Sequence, residues 1–63
     1  MDIQRIADKL RNDWSMRLPE FTWEDMQRLD LDRVEEEFYE YNLIIMGLSE
    51  LEIKKVLDYM AHN

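Results

Sequence analysis

A chain of 63 residues with a single glycine, Gly47, and a single proline, Pro19, has almost nothing with which to build tight turns. Sandwiches and barrels need turn formers about every 8–12 residues, so helices are expected instead. No cysteine is present. That removes a disulfide framework, a thiolate metal site and a cysteine nucleophile. Apolar residues are 46% of the chain and charged residues 37%, too apolar a mixture for disorder by composition. The longest apolar run, Leu43 to Met46, is far shorter than a membrane span or a signal-peptide core. The length allows one domain at most, over 1–63. A chain this short buries only about 60% of its unfolded surface. Either its helices pack unusually well, or a partner or a second copy covers part of it.

Ile3, Ile6, Ala7, Leu10 and Trp14 share one face at helical spacing, which predicts a first helix over about 2–14 with Asp2 as its cap. Ser15 to Phe21 reads as a connection. Pro19 disfavours helical geometry at Leu18, and Met16, Leu18 and Phe21 are expected to fold back onto the core. Thr22 and Asp25 form a capping box, flanked by Phe21 and Met26 in staple positions. Asp30 and Asp32 can cap a new helix, so 22–46 is either one helix or two. Leu29 falls opposite Val34, which favours two, at 22–29 and 31–46. Along the second, Leu31, Val34, Phe38, Tyr41 and Ile45 make a heptad-like core stripe, and Tyr39, Leu43 and Met46 a second apolar stripe. Gly47 suits the left-handed stop of that helix. Ser49 with Glu52 boxes the start of the last one, and Leu48 with Ile53 forms its staple. The last helix, 50–61, carries Ile53, Val56, Leu57 and Met60 on one face, with Lys54 and Lys55 facing away. The fold class is all-α, a small three- to four-helix bundle.

Catalytic chemistry is hard to find. His62 has no triad partner or ligand set beside it. Thr22 and Ser49 are accounted for as caps, which leaves no nucleophile with a base in reach. Glu36 and Glu40 lie one turn apart, but the Glu-x-x-His motif of bundle metal sites is absent. No enzyme activity, metal or cofactor is expected. Gly47-Leu48-Ser49 followed by Glu52-Ile53 resembles, over about a dozen residues, the first helix of the helix-turn-helix unit in the LuxR and sigma-factor families. In those families a recognition helix follows and carries the DNA contacts. Here about ten residues remain after Ile53, and shared capping physics accounts for the match.

Charge points to a class of partner. The chain carries 15 acids and 8 bases, a net −7. Between 20 and 40 stand nine acids against Arg28 and Arg33 alone, also −7; the two flanks cancel. This field repels phosphate backbones and anionic membranes and attracts basic protein surfaces; it also keeps a small apolar-rich chain in solution. Tyr39 and Leu43, with Glu36, Glu37 and Glu40 around them, read as an apolar centre in a carboxylate rim. These five residues are the expected partner-binding face. They could equally pack against Met16, Leu18 and Phe21. The expected function is a cytoplasmic protein-binding module, an inhibitor, adaptor or regulator that occludes a basic surface. Small size and acidity are the sole reason for considering a phage or mobile-element origin. Alternatives are a nucleic-acid mimic blocking a nuclease, polymerase or repressor, and a homodimeric regulator joined along the second stripe.

Overall fold

The computed structural model describes residues 1–62. Among the described residues there are four α-helices and no strand: α1 (Ile3–Arg17), α2 (Trp23–Arg28), α3 (Leu31–Ile45) and α4 (Glu50–His62). A 3-10 turn, Leu18–Glu20, follows α1 directly. The protein is an all-α helical bundle measuring 38 × 23 × 18 Å.

Local chemistry sets the helix ends. The Arg5 backbone N–H donates to Asp2 Oδ1 at 3.1 Å, and the Arg33 N–H to Asp30 Oδ1 at 3.4 Å. Asp30 therefore starts a helix of its own, and the chain breaks between α2 and α3. Thr22 and Asp25 exchange backbone-to-side-chain bonds of 3.0 and 3.1 Å, and Ser49 and Glu52 do the same at 3.0 and 3.3 Å. Each box satisfies two N–H groups that the helix cannot. At the end of α3, Gly47 takes φ 83°. Its N–H donates to Ile44 O at 3.0 Å, and the Leu48 N–H reaches Leu43 O at 3.4 Å. This doubled closure needs a residue that enters the left-handed region without steric cost.

The first connection differs from expectation. Helix α1 continues to Arg17, and Leu18 remains helical at φ −51°, ψ −42° despite the proline after it. The preference against helical geometry before proline is modest, and Leu18 packs against the core from this conformation. Leu18 and Phe21 do fold back as expected, whereas Met16 is 71% exposed.

The core is small. Leu10 and Trp14 from α1, Tyr39 and Leu43 from α3 and Val56 from α4 form its centre. Trp14 is its hub, with ring centroids 5.4 Å from Phe38, 5.8 Å from Phe21 and 6.5 Å from Tyr39. The Arg17 guanidinium lies 5.6 Å from the centroid of the Phe38 ring, a cation–π contact over its edge of the core. Arg11 Nη2 donates to Met60 O at 3.2 Å, placing a cation on the last turn of α4 where free carbonyls favour it. No residue of α2 is buried.

Candidate functional site

Two of the five expected face residues are not on the surface. Tyr39 is 8% exposed and Leu43 fully enclosed; both belong to the core beside Leu10, Trp14 and Val56. They cannot anchor a partner, and the expectation that they do so is corrected. Neither stripe of α3 is buried or exposed throughout: Tyr39 and Leu43 of the second are buried, but its Met46 is 45% exposed. Val34 and Phe38 of the heptad stripe are half-buried against the core, but Tyr41 and Ile45 are 63% and 64% exposed. Trp14 packs on this stripe at Phe38, and the last turns of α3 beyond it leave Tyr41 and Ile45 exposed.

Tyr39 also shows how a buried polar tip is satisfied. Its hydroxyl donates to Glu35 Oε1 at 2.6 Å. Burial, and then the neighbouring Glu35 carboxylate, push its ionisation well above that of an ordinary tyrosine. The phenol stays protonated and acts as a structural donor.

The three glutamates separate. Glu37 pairs with Arg33 at 3.4 Å and borders a shallow cavity beside Trp14, Phe38 and Tyr41. Glu36 and Glu40 turn the other way, into an open groove of about 640 Å³ between α3 and α4. Ile44 continues their row at i+4 spacing. Across from them, α4 contributes Glu50, Lys54 and Asp58, again one turn apart, with Ile53 and Leu57, and Leu48 comes from the turn. The groove thus combines four apolar side chains, four carboxylates and one ammonium. Sequence reasoning found Glu36 and Glu40 and missed the α4 wall. The i, i+4 row Glu50-Lys54-Asp58 was the available signal.

Most other carboxylates have a role inside the fold. Asp2, Asp25, Asp30 and Glu52 cap helices. Asp13 and Glu20 pair with Lys9 and Arg17, and Glu35 holds Tyr39. The side chains of Glu36, Glu40, Glu50 and Asp58 in the groove, like those of Asp8, Glu24 and Asp32 elsewhere, take part in no hydrogen bond or ion pair among the described residues. No cluster of three or more potential metal ligands exists among the described residues, and no helix is long and apolar enough to cross a membrane.

Comparison with protein families, with curated proteins and with solved structures gives no match. Function has to be argued from the groove itself.

Proposed function

We propose that this protein is a protein-binding module whose α3–α4 groove takes an amphipathic, basic segment of a partner and so occludes it. The observation that carries the reading is the coincidence, in one groove, of apolar lining (Ile44, Leu48, Ile53, Leu57) with carboxylates that make no hydrogen bond or ion pair among the described residues (Glu36, Glu40, Glu50). An apolar groove between two helices suits an amphipathic helix laid along it. The rim selects the charge: a Lys or Arg one turn apart on the partner meets Glu36 and Glu40, which α3 spaces by about 6 Å. Lys54 stands among the acids and favours a partner with one carboxylate between its cations. Steering by the net −7 speeds encounter with such a target and disfavours nucleic acid.

The test uses two synthetic helical peptides of about 18 residues, or five turns. One carries leucines at i, i+3, i+4 and i+7 spacing flanked by lysines; the other has the same composition in scrambled order. Fluorescence anisotropy at low salt should show binding of the first alone, weakening as salt is added. Glu36→Gln with Glu40→Gln should reduce affinity by about 2- to 30-fold, from about 0.2–1 kcal/mol per rim pair. Equal binding of both peptides, or affinity untouched by the double substitution, refutes the groove as the site.

A further inference from the structure

We propose that the groove between α3 and α4 holds its partner in one direction, with the partner's cationic end at the open end of the helix pair and its apolar end at the Gly47 turn. This rests on the groove being the partner site. A second cavity, of about 260 Å³, continues the groove. The two share Glu36 and Leu57, and the second adds Asp32, Glu35, Met60 and Ala61. One channel therefore follows α4 from Glu50 to Ala61, about 16 Å at about 1.5 Å per residue. Apolar lining runs along all of it: Leu48, Ile53, Leu57 and Met60 are half-buried against the core. About three turns of an amphipathic helix fit that length.

Charge is graded along the channel. The chain reverses at Gly47, so residues equally far from the turn face each other. Nearest the turn, Ile44 stands with Leu48, Ile53 and the single charge of Glu50. One turn further, Glu40 and Lys54 offset each other. Beyond them come Glu36, Asp58, Glu35 and Asp32. Arg11, bonded to Met60 O at 3.2 Å, offsets one of these four. With His62 neutral at pH 7, the open end is left at −3. Glu35 is engaged by the Tyr39 hydroxyl, whereas Glu36, Asp58 and Asp32 make no hydrogen bond or ion pair among the described residues. A cation on the partner therefore gains most at the open end, is opposed by Lys54 in the middle, and meets chiefly apolar surface near the turn. Laid the other way, the same segment sets its cations against Ile44 and Leu48 and its apolar side chains among three unpaired carboxylates. Both mismatches penalise that orientation. The cations, rather than the chain direction of the partner, decide how it lies.

Spin-labelled peptides read the direction on the wild-type chain. Two helical peptides of about 18 residues share one composition; the first groups its lysines at its N-terminus, the second at its C-terminus. Each carries a nitroxide on a cysteine at the opposite, apolar end. In two-dimensional NMR of the isotope-labelled full chain at low salt, both labels should broaden the amide signals of Ile44, Leu48 and Glu50 more strongly than those of Asp32, Glu36 and Asp58. Asp32→Asn with Asp58→Asn should weaken binding by about 2- to 30-fold, and Glu50→Gln should weaken it less. Broadening that is equal at the two ends, or that follows chain direction rather than the lysines, overturns the polarity while leaving the groove as the site. So does a loss from Glu50→Gln as large as that from the two aspartates. Broadening outside the groove, or none, overturns both the polarity and the site.

Discussion

Shortening Leu43 to alanine removes a side chain with no exposed surface, seated among Leu10, Trp14, Tyr39 and Val56. Leu43→Ala loses both the transfer of the leucine from water and the contacts around the cavity left behind, together about 3 kcal/mol within a range of about 2–5. A chain of this size holds only about 3–5 kcal/mol in its core. With about 1 kcal/mol remaining, the folded form outnumbers the unfolded by only about five to one at 25 °C. At about 4–8 °C per kcal/mol for a small domain, Tm falls by about 12–24 °C. Ile45→Ala is the matched control. It shortens a similar side chain on the same helix, at a position 64% exposed, and should shift stability by no more than about 0.5 kcal/mol. Thermal melts followed by circular dichroism at 222 nm (a wavelength set by helical amide absorption), run at one low protein concentration, keep self-association from contributing. If Ile45→Ala costs as much as Leu43→Ala, the inward face of α3 has been assigned wrongly and the argument about the groove falls with it.

Other consequences are as direct. Gly47→Ala places a side chain at φ 83° with open space around it, so its cost is backbone strain alone, about 1–2 kcal/mol; urea denaturation should recover that loss, and a neutral result would mean the turn is not left-handed. Tyr39→Phe removes the donor to Glu35 and should cost about 1 kcal/mol. Because the folded phenol ionises above its unfolded value near 10, its contribution is intact below about pH 10 and is lost as pH rises further; the variant's melting temperature should therefore fall less than that of wild type in alkali. Ser49→Ala removes an N-cap at a cost of about 1 kcal/mol. The Ser49 backbone N–H, then its hydroxyl, hold Glu52 below the ordinary carboxylate range. Stability from that bond is present above the unfolded value near 4.3 and is lost as pH falls through the lower folded value. The difference between wild type and Glu52→Ala should accordingly vanish in acid, and a difference that persists at about pH 2 would show that the bond is not charge-assisted.

What could be read directly from the sequence is local. Asp2, Thr22 with Asp25, Asp30, and Ser49 with Glu52 start helices through bonds that span three residues, and Gly47 ends one by its own backbone freedom. These effects need no distant partner, and so the break at Asp30 and the turn at Gly47 were legible. The extension of α1 to Arg17 was not, because the weak preference at Leu18 gives way to packing of its side chain. The groove was half legible. Glu36 and Glu40 share a face by helical spacing alone, but Glu50, Lys54 and Asp58 reach it only because α4 folds back beside α3. Which apolar stripe of α3 faces inward was decided by tertiary structure. Both stripes are amphipathic by pattern, and a pattern has no knowledge of where the neighbour stands. Trp14 on α1 and Val56 on α4 pack with Tyr39 and Leu43, and Trp14 meets the other stripe at Phe38, leaving Tyr41 and Ile45 beyond it exposed.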